Sequence, residues 1–139
     1  MGLPFCRVTL KASWQTGAYP KELRHLGDHV RKRRLDLGLS QREVADRLDV
    51  DKLTVQHWEL GHFEPTVSVL PAVIRFLGYD PRPAPINTAQ WIRWHRTGRG
   101  LSQKGLAQKL GTDQRSVWLW ETGRQEVPTR VIVTLTGKG

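Results

Sequence analysis

The positions of Lys52, Leu53, Gln56 and His57 recur in register, sixty-two residues on, with different occupants: Gln114, Arg115, Trp118 and Leu119. A guanidinium such as that of Arg115 offers paired donors suited to guanine O6 and N7. The carboxamides of Gln56 and Gln114 suit adenine, and Leu53 or Leu119 suits a thymine methyl. This is the chemistry of recognition, not of bond breaking. The sequence holds no phosphate-cradling glycine loop with its lysine and no nucleophile–base set. Neither an enzyme nor a cofactor is expected. His25 and His29 stand four apart, but no glutamate-containing zinc motif accompanies them and no cysteine lies nearby. No metal is expected.

The eight positions sit inside a longer repeat. Leu39 to Gly61 aligns without gaps on Leu101 to Gly123, and the coincidences include Leu39/Leu101, Ser40/Ser102, Gln41/Gln103, Ala45/Ala107, Leu48/Leu110, Val55/Val117, Trp58/Trp120, Glu59/Glu121 and Gly61/Gly123. Two copies are too few for a solenoid, so two small domains of one type are expected in tandem. Domains of about 60 residues are marginal unless well packed, and the shared tryptophan brings a large buried area to a small core. The expected division is an N-terminal arm over 1–20, a first domain over 21–78, a proline-stiffened linker over 79–87 and a second domain over 88–139.

The formal net charge is +9, which points to a polyanionic partner; plain solubility is the competing explanation. Its distribution is uneven: residues 1–20 carry +2, residues 21–80 balance ten Lys/Arg against ten Asp/Glu, and residues 81–139 carry +7. The excess therefore lies mostly with the second copy. The single cysteine, Cys6, excludes an intrachain disulfide and fits a reducing compartment. No apolar run approaches a membrane span, and the first residues lack the pattern of a secretory signal. A cytoplasmic, nucleoid-associated protein without a membrane partner is expected.

The elements that must position these residues are helical. Leu26, Val30, Arg34 and Leu37 share one face of a helix beginning near Leu23, which Gly38 stops. Its twin runs from about Thr88 to Thr97, with Ile92 and Arg96 in the places of Val30 and Arg34. Ser40 and Glu43 form a capping box for a helix over Gln41 to Leu48, with Val44, Ala45 and Leu48 inward. Ser102 opens the matching helix, but Gly105 replaces the glutamate and costs about 1 kcal/mol of helix propensity. Asp51 and Asp113 are expected to cap a third helix, ended by Gly61 and Gly123. At about 100° per residue, Val55 and Trp58 set its buried direction. Leu53, Gln56 and His57 then point away from it, flanked by Lys52. In the second copy Arg115, Trp118 and Leu119 take the outward places, flanked by Gln114. A fourth helix over about Ser68 to Leu77 closes the first copy, with Pro71 in its first turn. After Pro128 the stretch Val131 to Leu135 suits a strand better than a helix, which would leave the second domain truncated. Residues 1–20 show little periodicity; a short strand around Val8 to Leu10 or a basic arm would both fit.

Three helices, with a short connection between the second and the third, make a helix-turn-helix, and the third can enter a major groove. The spaced set Leu39-Ser40-Gln41, Val44-Ala45, Leu48, Val50, Val55, Trp58-Glu59 and Gly61, with its counterparts, resembles the phage-repressor and Cro type (lambda repressor-like) of DNA-binding regulator. The resemblance covers about residues 23–78 and 88–128. It implies an all-α fold of two tandem domains. It also implies base-reading positions at Lys52, Leu53, Gln56, His57, Gln114, Arg115, Trp118 and Leu119, where a merely solvated face is the plain alternative. Gln41 and Gln103 resemble the family's phosphate-contacting glutamine, with helix capping as their alternative. Arg42, Lys104, His62 and Arg124 are further candidates for phosphate contact, as are members of the run Arg31-Lys32-Arg33-Arg34, whose bland reading is a solvated face. Arg34 with Glu59, and Arg96 with Glu121, recur at one separation, and the resemblance implies partly buried structural ion pairs.

The partner expected is double-stranded DNA, bound by a homodimer or by the two copies as an intramolecular pseudo-dimer on half-sites about one turn apart. The alternative is a protein-interaction module such as an antitoxin, docking through Trp118 and Leu119 or through the apolar C-terminal tail.

Overall fold

A computed structural model of the chain describes residues 19–137. The arm, with Cys6 and the stretch Val8 to Leu10 for which a strand or a basic arm both fit, falls outside the described residues, apart from Tyr19 and Pro20 at its end. Every regular element among the described residues is helical. The chain divides into two compact units, one ending at Pro65 and including Ala72–Pro81, the other made of Thr66–Pro71 and the chain from Arg82 onward.

In the first unit, α1 spans Leu26–Asp36, α2 Gln41–Leu48 and α3 Lys52–Leu60, and α3 packs against both of the others. Residues Ala72–Leu77 of α4 (Leu70–Leu77) complete it. Helix α1 starts at Leu26, three residues later than periodicity alone places it, because His25 and Asp28 form a capping box. His25 Nδ1 accepts from the Asp28 N–H at 3.3 Å, while Asp28 Oδ2 accepts from the Arg24 N–H at 2.9 Å and the His25 N–H at 3.4 Å. The other end differs too: Leu37 is the C-cap and 42 % exposed, so it does not extend the buried face. The box of Ser40 and Glu43 is made in both directions, at 3.1 and 3.0 Å. Asp51, by contrast, makes no side-chain capping bond. Val30, Val44, Ala45, Leu48, Val55, Trp58, Val73 and Leu77 are buried. Pro71 lies in the first turn of α4, where its missing N–H leaves no bond unmade. Arg33 Nε donates to the Phe76 carbonyl at 3.1 Å, and His29 Nδ1 meets the Tyr79 hydroxyl at 2.6 Å, so both ends of that segment hold to α1.

In the second unit, α5 spans Thr88–Gly98, α6 Gln103–Leu110, α7 Gln114–Glu121 and α8 Thr129–Thr136. Ser102 accepts from the Gly105 N–H at 2.9 Å with no reciprocal bond, the one-sided cap that losing the glutamate predicts. Asp113 accepts from the Ser116 N–H at 2.8 Å, and hydrogen bonds from Ser116 hold its carboxyl below the ordinary range. Ile92, Leu106, Ala107, Val117, Trp120 and Val131 form the core, with Trp91, Leu101, Leu110, Val127 and Leu135 packed on it.

Helix α8 overturns the strand expected over Val131 to Leu135. Its residue types favour a strand, but propensity is a weak preference that burial overrides. Val131 and Leu135 lie four apart, so a helix turns both to the core, and Val131 is 1 % exposed. The second unit thus ends on a closing helix, and the tail is part of its core.

His95, on α5, is half-buried, and Arg99 Nε donates to its Nε2 at 3.1 Å. That bond requires an unprotonated Nε2. Burial first, and the Arg99 charge second, push the imidazole pKa below its ordinary 6.5, against a smaller opposing effect of a Leu135 backbone hydrogen bond. Burial likewise lowers that of His29, partly opposed by Asp28. As pH falls past 6.5 the unfolded chain takes up these protons before the folded one, so stability is full above that value and declines below it. The chain is expected to melt at a lower temperature at pH 5.5 than at pH 7.5. His95→Gln should flatten that dependence; a melting temperature that stays level across this range would count against the burial of both rings.

Candidate nucleic-acid interface

The first unit presents α3 with its two faces separated. Val55, Trp58 and Glu59 are buried, while Lys52, Leu53 and Gln56 are exposed, Leu53 at 59 %. His57 is half-buried because its Nδ1 lies 3.0 Å from His62 Nδ1 and its ring packs on Phe63 with centroids 4.8 Å apart. On α7, Val117 and Trp120 are buried, Gln114 and Arg115 are exposed, Trp118 is 37 % exposed and Leu119 is intermediate. Gln103, Gln114, Arg115 and Trp118 line one open depression. Arg42 and Lys104 are exposed on the first turns of α2 and α6.

Behind each face lies the same bonded set. Arg34 forks onto Glu59 with Nε to Oε2 at 2.6 Å and Nη2 to Oε1 at 2.8 Å, and its Nη1 donates to the Leu39 carbonyl at 3.1 Å. Arg96 does the same to Glu121, at 2.5 and 3.0 Å, and to the Leu101 carbonyl at 2.8 Å. The carboxylate side chains are only 4 % exposed in both pairs. Gln41 Nε2 donates to Glu59 Oε1 at 3.1 Å, and Gln103 Nε2 to Glu121 Oε1 at 3.1 Å. A carboxylate only accepts, so it fixes which end of each amide faces inward. Nothing in the spacing alone announced this third member of the set.

Two more groupings escaped the sequence. The N–H of His62 donates to the His57 carbonyl, and that of Arg124 to the Leu119 carbonyl, both at 3.0 Å. Each follows a glycine at positive φ, Gly61 at 78° and Gly123 at 74°. This helix-terminating turn brings residue 62 back over α3 and residue 124 back over α7. The Arg124 guanidinium then lies 5.0 Å from the centre of the Trp118 ring. Separately, Arg82 sits 4.8 Å from the Trp94 ring and donates to the Trp94 carbonyl and the Thr97 hydroxyl. His25 and His29 do not converge: one caps α1 and the other meets Tyr79. Among the described residues no group of three or more His, Cys, Asp or Glu is placed to hold a metal ion. No helix among them is long and apolar enough to cross a membrane.

Residues 30–83 match a family model described as helix-turn-helix. The matched stretch takes in most of α1 and all of α2, α3 and α4, so this part of the chain is similar to helix-turn-helix domains. Searches of curated proteins and of solved structures returned no match.

Proposed function

We propose that the protein is a sequence-specific regulator that binds double-stranded DNA, with α3 and α7 as the helices that enter major grooves. In this reading both units are lambda repressor-like modules, and each reads bases through its own outward residues. The observation that carries the reading is the split on α3 within the matched stretch: Trp58 and Glu59 are held inside while Lys52, Leu53 and Gln56 stand free. Gln41 and Gln103, with their amides oriented by buried carboxylates, and the exposed Arg42 and Lys104 flank these faces where phosphates would lie.

Selection from random duplexes should yield a preferred site whose affinity falls steeply with salt, with a slope of about −0.9 per neutralised phosphate. Arg115→Ala is expected to cost about 1–3 kcal/mol and relax the preference at one base pair, and Lys52→Ala should weaken duplex binding as well. A chain that binds selected and scrambled duplexes equally would refute the reading.

A protein-interaction module of the same fold is favoured by one observation, the partly exposed apolar pair of Trp118 and Leu119. The C-terminal tail offers less to it, since Val131 lies in the core and Leu135 packs on it, leaving Val133 exposed. That reading wins if Arg115→Ala and Lys52→Ala leave duplex affinity unchanged while Trp118→Ala abolishes binding to another protein.

A further inference from the structure

Resting on the DNA-binding reading above, we propose that Trp118 is a specificity residue that selects thymine through its 5-methyl group, and that Arg124 is the positioning residue that holds the indole for this contact.

The argument starts from what an outward apolar side chain can recognise. In the major groove, bases present nitrogen and oxygen acceptors, amino donors and one apolar group, the thymine methyl. Gln114 and Arg115, exposed on the same helix, have donors and an acceptor to spend on polar edges. Trp118 and Leu119 offer mainly apolar surface. If α7 lies in a groove, burying the Trp118 ring against a polar base edge strips that edge of water without giving a bond. Burying it against a methyl has no such cost.

A large aromatic ring reads one position only if its rotamer is held. Gly123, at positive φ, and the Arg124 N–H bond to the Leu119 carbonyl fold residue 124 back along α7. The guanidinium 5.0 Å from the ring centre then restrains the indole by a cation–π contact. The first unit supports this reading of the turn. There His62, after Gly61, meets the outward His57, and Phe63 packs on that ring. Each unit therefore uses the residue after its helix-ending glycine to brace an outward ring, with different chemistry in each copy. Arg124 was a candidate for phosphate contact; its place over the indole gives it a second task, because a guanidinium can bond a phosphate while it contacts an aromatic face.

The test uses the full chain and its selected duplex. Bases whose preference shifts in Arg115→Ala mark the segment read by the second unit. Each thymine there is replaced singly by deoxyuridine, which removes only the methyl. At one thymine the wild-type chain is expected to lose about fourfold in affinity, the worth of one buried methyl-sized group. Trp118→Ala should bind thymine and uracil duplexes equally. Arg124→Lys keeps the charge but replaces the planar guanidinium that lies over the ring, so its discrimination should fall towards unity while its salt slope stays that of wild type. If uracil is neutral at every position, or if Trp118→Ala still discriminates, the assignment of Trp118 is overturned while the DNA-binding reading stands. If Arg124→Lys discriminates as well as wild type, the positioning role is overturned. A chain that binds no duplex would remove the parent reading and this one together.

Discussion

Glu59→Ala is expected to destabilise the first unit by about 3–5 kcal/mol, the cost of leaving a buried charge without its partner. The side chain of Glu59 is 4 % exposed and accepts three bonds, two from the Arg34 fork and one from Gln41. Arg34 is itself only 13 % exposed, so its charge would remain in the gap between α1 and α3 with little access to water. Changing both partners, as in Glu59→Ala with Arg34→Leu, removes that isolated charge and should recover a large part of the loss. The measurement is a double-mutant cycle on the whole chain, followed by hydrogen exchange of amides in 41–60 so that the second unit does not mask the first. Equal losses in the single and double variants would sink the argument. A stability of 5–15 kcal/mol is usual for whole proteins, so the single variant should leave this unit at or near unfolding.

Gly27→Ala is the second large effect, and it runs against helix propensity. In an unconstrained helix the change would gain about 1 kcal/mol. Here a Cβ on Gly27 would stand 1.7 Å from the Trp58 carbonyl oxygen and 2.3 Å from its carbon. Both are backbone atoms, so no side chain can swing aside; α1 and α3 must move apart. Overpacking of this kind costs about 1–3 kcal/mol and at times more. We expect the upper end of that range and a fall of roughly 4–8 °C in melting temperature for each kcal/mol in a unit this small. The second copy has Ala89 at the matching place, so its α5 and α7 accommodate a methyl that α1 and α3 do not. An unchanged melting temperature would mean that the two helices do not approach as closely as the structure has them.

The helices were legible because they rest on local rules. Apolar spacing and the Ser40–Glu43 pair located α2 to the residue, and glycine marked the helix ends at Gly38, Gly61 and Gly123, all at positive φ. What failed was whatever depended on partners far along the chain. Val131 to Leu135 has the residue types of a strand, and only its burial against Ile92, Val117 and Trp120 makes it a helix. His25 as an N-cap was hidden because histidine is a rare cap, recognisable only once Asp28 answers it. Which side chains of α3 and α7 face outward followed from periodicity. What they rest against did not: Gln41 on Glu59, His62 on His57 and Arg124 on Trp118 are joined by turns and tertiary packing that no pattern of single residues encodes.

The turns that follow α3 and α7 set a rule for anyone who would re-engineer this protein. The four outward residues of one copy look like a cassette that can be exchanged for the other's, since Lys52, Leu53 and Gln56 are all exposed. Yet Trp118 is held by a residue that follows the helix-ending glycine rather than one of the helix itself. Grafting Gln114, Arg115, Trp118 and Leu119 onto α3 would put His62 where the second copy has Arg124, with no guanidinium to lie over the indole. The transferable unit is five residues, and the fifth belongs to the loop.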